Sequence, residues 1–167
     1  GTSDAFVTKL DVAGGMVYPT YLGGGDSDSA SGIRFHNGNV YVAGSTLSAD
    51  FPGTASSTIQ RAIRGGQDAF VAELTGQGSA IVHATYIGGT GNEAMIAGSY
   101  GSSSLTYALE ADNAGLAVDT GGNVYLTGST RSTDFPTVNA IQPANGGIAS
   151  GWTEDGFVVK LAPVSDL

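Results

Sequence analysis

Residues 68–74 read "DAFVAEL", and near copies stand at residues 4–10, "DAFVTKL", and 155–161, "DGFVVKL". If these segments are extended, successive side chains point to opposite sides, so each phrase sorts into two faces. One face carries Phe70, Ala72 and Leu74, matched by Phe6, Thr8 and Leu10 and by Phe157, Val159 and Leu161. The other carries a small residue, a valine and a charge, with Lys9, Glu73 and Lys160 at the charged place. A strand that is apolar on both faces until its far end must lie between two layers.

The words around the phrase recur as well. After the first copy come Tyr18-Pro-Thr-Tyr21-Leu-Gly-Gly, Gly38-Asn-Val-Tyr-Val-Ala-Gly-Ser-Thr46, Asp50-Phe51-Pro52 and Ile59-Gln60. After the second, in the same order, come His83-Ala-Thr-Tyr86-Ile-Gly-Gly, Gly122-Asn-Val-Tyr-Leu-Thr-Gly-Ser-Thr130, Asp134-Phe135-Pro136 and Ile141-Gln142. The chain is therefore an internal repeat, which decides its architecture before any local detail does. Tyr86 stands about 19 residues further from Asn123 than Tyr21 does from Asn39, so the second unit carries an insertion. The units run 4–67, then 68–154 with an inserted loop over about 92–113, then the start of a third over 155–167.

Each unit holds four strand-like pieces. "SGIRFH" with "NVYVAGS" and "AGLAVD" with "NVYLTGS" read as hairpins, because the Asn, Asp and Gly between them suit turns with positive φ. No long helical period intervenes, and "YALEAD" is at most a turn of helix. Four short antiparallel strands per unit, repeated along the chain, predict an all-β fold of β-propeller-type blades. About two and a quarter repeats are present, a partial or open propeller.

The string "DAFV.KL…TYLGG…GNVYLTGST.S.DFPT…IQ" resembles the bacterial β-propeller repeat family labelled SBBP, over essentially the whole chain apart from the insertion and the last few residues. The resemblance implies a propeller in a secreted or surface-anchored bacterial protein, within a larger array and without a common enzymatic activity. If the "NVYVAGS" hairpins are the inner strands, as in propellers generally, the units supply two, four and three strands, leaving one blade complete. Open sheet edges and apolar faces invite further pairing. The start falls mid-repeat and lacks Met, so the chain is expected to be a piece of a longer propeller, with other blades as its partners; the alternative is association of identical subunits.

Composition narrows the function classes. Six Lys and Arg against fifteen Asp and Glu give a net charge of -9, which repels phosphate backbones and argues against a nucleic-acid partner. There is no cysteine, hence no disulfide frame and no thiolate metal site. No window approaches the roughly 18 apolar residues of a membrane-spanning helix.

Candidate chemistry is sparse. "GGGDSDSASG" sets Asp26 and Asp28 in a glycine-flanked loop beside Ser27 and Ser29, oxygen donors of the kind that bind calcium, though without the acids of an EF-hand. The matching place in the second unit, Gly91-Asn92-Glu93, keeps one acid. Calcium is the one candidate ion, against a plain solvated turn; no other cofactor is expected. Asp4, Asp68 and Asp155 recur at strand starts, and Asp50 and Asp134 open the Asp-Phe-Pro turns, places where carboxylates bond local backbone. His36 and His83 occupy unrelated positions and no Gly-x-Ser-x-Gly elbow exists, so neither a zinc site nor a hydrolytic triad is supported. Tyr100, Leu105, Tyr107 and Leu109 make the insertion more apolar than a free loop needs, marking it as a contact surface for another blade or subunit. Trp152 lies in a glycine-rich connection where it packs on the next strand or stacks on a sugar.

The expected protein is a non-enzymatic structural or adhesive module of an extracellular or cell-surface protein. The alternatives are a carbohydrate- or calcium-binding module, or part of a propeller-fold polysaccharide-active enzyme.

Overall fold

A computed structural model describes residues 3–95, 115–146 and 154–163. The described residues contain ten strands in three antiparallel sheets, one short 3₁₀ turn at Thr54–Ser56 and no α-helix. β1 (Ala5–Leu10) and β2 (Met16–Leu22) form a two-stranded sheet. β3 (Asp28–His36), β4 (Asn39–Thr46), β5 (Asp68–Thr75) and β6 (Ile81–Ile87) pair in chain order into a four-stranded sheet. In the third sheet β10 (Asp155–Leu161) pairs with β9 (Val124–Thr130), whose other edge takes β7 (Glu93–Ala94) and β8 (Leu116–Val118).

The insertion has a defined seat in this pattern. In β3 the register with β4 shifts between Ala30 and Gly32, leaving Ser31 as a bulge. In the third sheet the same strand is broken at the same place: Ala94 pairs with Ser129, Leu116 with Leu126, and Gly115 accepts from the Thr127 amide at 2.9 Å. A bulge already leaves one residue outside the ladder, so extra chain enters there without costing neighbouring strand bonds. Glu93 and Ala94 thus pair in the sheet, at the edge of the loop expected over about 92–113. Buried Glu93 and Met95 hold this stretch down.

Phrase and hairpin behave as their patterns require. In β5 every residue from Asp68 to Ala72 is buried, and Leu74 with them. The sheets stack face on face. Ala5, Val7 and Leu22 of the first sheet meet Val40, Val42 and Phe70 of the second. Ala69, Val71 and Ile87, from the second sheet's other side, meet Leu126, Val124 and Phe157 of the third. Hydrophobic burial on both sides of one sheet therefore joins the three. The hairpin turn after His36 uses Asn37 and Gly38 at positive φ, and Gly122 does so in the longer turn after Asp119.

Close approach explains the glycine of "NVYVAGS". A Cβ on Gly44 would lie 1.9 Å from the Ser29 carbonyl oxygen, and one on Gly128 would lie 2.5 Å from that of Ala94. Only hydrogen fits between these crossing backbones.

Candidate functional site

The feature the repeats share most closely is a carboxylate corner where one sheet hands over to the next. After β2 the chain turns through Gly23-Gly24-Gly25, and Asp28 at the start of β3 folds back to accept the Gly24 amide at 2.8 Å. Ser48, just beyond β4, donates its hydroxyl to the same Asp28 oxygen at 2.8 Å and accepts the Asp26 amide at 2.9 Å. Asp50 accepts the Gly25 amide at 2.6 Å. The second unit repeats each bond. Glu93 accepts the Gly89 amide and the Ser132 hydroxyl, Ser132 accepts the Gly91 amide, and Asp134 accepts the amide and hydroxyl of Thr90.

These bonds set the roles of the acids singled out in the sequence. Asp28 is buried and serves as an internal strut, while Asp26 is exposed and contributes its amide. The Thr90 amide and hydroxyl hold the Asp134 carboxyl below the usual carboxylate range. Ser48 and Ser132 complete the corner. Their signal was present in the recurring "GSTxS", although nothing local says which partner each hydroxyl finds.

A second clamp ties the "IQ" marker to the strand phrase. Gln60 donates to Asp68 at 2.7 Å and accepts the Gly88 amide, while Asp68 also accepts the amides of Arg64 and Gly65. Gln142 repeats the first bond to Asp155 at 2.8 Å, and the Gly146 amide joins it. The recurring strand-start acids Asp68 and Asp155 thus bond backbone, as expected of them. Burial pushes the Asp68 carboxyl up; the two amides and Gln60 oppose this and nearby Glu93 reinforces it.

Beside the first corner lies a cavity of about 120 Å³ lined by Ser3, Asp28, Ser29, Ser45, Thr46 and Gln67 among others. Asp28 Oδ1 is buried and receives no hydrogen bond. Among the described residues no three His, Cys, Asp or Glu side chains are grouped to hold a metal ion. A single carboxylate among hydroxyls suits at most one hard cation or a hydroxyl-bearing ligand. Tyr100, Leu105, Tyr107, Leu109 and Trp152, the other site candidates, lie outside the described residues.

Glu73 and His83 face each other across β5 and β6. Glu73 accepts from Asn39 at 2.7 Å and from the Tyr41 hydroxyl at 2.9 Å. Burial, then the Glu73 bond and charge, push the Tyr41 hydroxyl up to about 12. Burial lowers His83 against the pull of Glu73. His36 on β3 lies beside Tyr41 from the other side, with ring centroids 6.5 Å apart, and β4 and β5 stand between it and His83 on β6.

A stack of antiparallel sheets with the same carboxylate corner at each handover defines a β-sheet repeat protein. Residues 114–136, which include β8, the hairpin turn, β9 and Asp134-Phe135-Pro136, match the family model SBBP, Beta-propeller repeat. No curated protein matches the chain. No helix among the described residues is long and apolar enough to cross a membrane.

Proposed function

We propose that the three sheets are blades of a β-propeller and that the chain is a structural or adhesive module of an extracellular or cell-surface bacterial protein, without catalytic activity of its own. The four-stranded sheet β3-β4-β5-β6 is the complete blade; the outer sheets supply two and three blade strands, and further blades or subunits cover them. One observation carries this reading: the buried recurrent acids Asp28, Asp68 and Glu93 are held by backbone amides and hydroxyl or amide side chains of the module itself. Acids used in that way are structural, whereas a propeller enzyme acting on polysaccharide needs acids free to meet substrate.

Surface display is tested by shaving intact source cells with protease and sequencing the released peptides. Peptides of this chain are expected in the released fraction, and their confinement to the lysate would overturn the assignment. Incubation of the purified chain with polysaccharides should release no new reducing or unsaturated ends. Release of either makes the module an enzyme.

The buried, unpaired Asp28 Oδ1 at the wall of the hydroxyl-lined cavity favours a second reading, a calcium or sugar site at the first corner. Calcium titration by calorimetry, with Asp26→Ala as control for the exposed acid, tests the ion. Heat of binding that survives Asp26→Ala places calcium on Asp28, and absence of heat removes the ion.

A further inference from the structure

The stack leaves two sheet faces open at opposite ends, and each is a copy of a face that is buried elsewhere in the chain. Phe6 of β1 is 71 % exposed, whereas Phe70, its counterpart, is fully buried against the first sheet and Phe51. Tyr21, which pairs with Phe6, is 81 % exposed, whereas its counterpart Tyr86 is fully buried. The same side continues through Leu10 and Met16, both exposed and paired with each other, so it carries a run of apolar side chains. At the far end Val158 of β10 is 80 % exposed, whereas its counterparts Val7 and Val71 are each 4 % exposed.

The two open faces are of opposite kinds. Inside the chain, the small-residue and valine face of one sheet is covered by the phenylalanine face of the next, first Val7 toward Phe70, then Val71 toward Phe157. The pair that remains is Val158 at one end and Phe6 at the other. The valine face of the third sheet also carries Thr127, opposite Val158, and Tyr125, opposite Lys160. Lys160 lies over the Tyr125 ring, 5.4 Å from its centroid. This side chain keeps its charge at the strand's far end, as Glu73 does in the buried copy of the face.

We propose that these two faces join head to tail between copies of this chain, the Phe6–Tyr21 face of one copy covering the Val158–Tyr125 face of a second. The proposal rests on the reading of the sheets as blades and adds the partner and the faces it uses. The occupant is a second copy because the chain itself already makes this contact twice, a valine face against a phenylalanine face each time. A face of different kind on each partner makes the contact heterologous, so it propagates or closes into a ring rather than stopping at a like-with-like dimer.

Sedimentation velocity on the 167-residue chain tests it. The mass is expected to rise with concentration. Phe6→Asp and Val158→Asp should each remove that rise, because each ruins one face; an equimolar mixture of the two variants should form dimers and nothing larger, since each retains the face the other lacks. Both positions are exposed, so melting temperatures in dilute solution should match the parent. A variant that melts lower is replaced by Tyr21→Asp or Thr127→Asp on the same face. A parent chain that stays monomeric at every concentration, or a Val158→Asp variant that still self-associates, overturns the proposal. Neither result bears on surface display, which protease shaving reads separately.

Discussion

Phe51 lies against Phe70 with ring centroids 4.3 Å apart, and the Phe51 amide donates to the Tyr86 hydroxyl at 3.0 Å, which in turn donates to the Ser48 carbonyl. One turn is thereby fastened to two strands of its own sheet, by an aromatic contact and by a buried hydroxyl that is fully used. Phe51→Ala should cost about 3–5 kcal/mol in chemical denaturation, the range for a large buried aromatic. Phe6→Ala, in dilute solution, should change stability by less than about 0.5 kcal/mol, because the same residue type there is exposed. Equal costs would mean that Phe51 and Phe6 are not as different as their burial states.

Gly44→Ala places a methyl group against the Ser29 carbonyl oxygen, and neither backbone can move without breaking the β3–β4 ladder. Destabilisation of at least about 1–3 kcal/mol is expected in urea. Gly156, likewise a strand glycine without positive φ but with only ordinary contact along its Cβ direction, is the control for conformational cost alone. If Gly156→Ala costs as much as Gly44→Ala, the close approach is not the reason for the glycine.

Asp68 gives the fold an acid dependence of unusual sign. Its folded value is raised, so as pH falls through that value the native state takes up a proton before the unfolded chain does. Its contribution therefore grows as pH falls and levels off below the unfolded value of about 3.9. Asp68→Asn removes the titration while leaving a constant penalty, since one amide oxygen must meet the donors of Gln60, Arg64 and Gly65. The melting-temperature gap between parent and Asp68→Asn should widen from neutral pH down to about 4. A gap that narrows would show the Asp68 carboxyl to be depressed.

Asp134 runs the other way. Held low by Thr90, it stabilises the corner above the unfolded carboxylate value, and that support is lost as pH falls through its folded value. Protection of the Thr90 amide from hydrogen exchange, relative to its intrinsic rate at each pH, should therefore fall in strong acid, and at neutral pH in Asp134→Ala. Protection that persists in the variant would assign the amide to another acceptor.

Ultraviolet titration separates the causes acting on Tyr41. The parent should show one tyrosine ionising near 12, and Glu73→Gln should bring it down only part of the way, because burial is the larger cause. A full return to the ordinary value of about 10 would make Glu73 the dominant influence.

Much of this protein was determined by the sequence alone. The strand phrase, apolar on both faces, required a layer on each side of it, and β5 lies between two sheets for that reason. The hairpins followed from Asn37-Gly38 and from the Asp119–Asn123 turn, since few residue types accept those φ values. The recurrence of Asp68 and Asp155 marked them as backbone acceptors, because a short carboxylate beside a strand start finds amides locally. What the tertiary structure alone decided is which distant groups share a carboxylate and which copies of a face are covered. Asp28 read as half of an acidic loop, yet Ser48, twenty residues on, makes it a buried strut. Glu93 and Ala94 read as loop until pairing with β9 put them in the sheet. Phe6, Phe70 and Phe157 are the same letter in the same phrase, but Phe6 alone stands exposed; burial belongs to what lies across from a residue, and no local pattern encodes that.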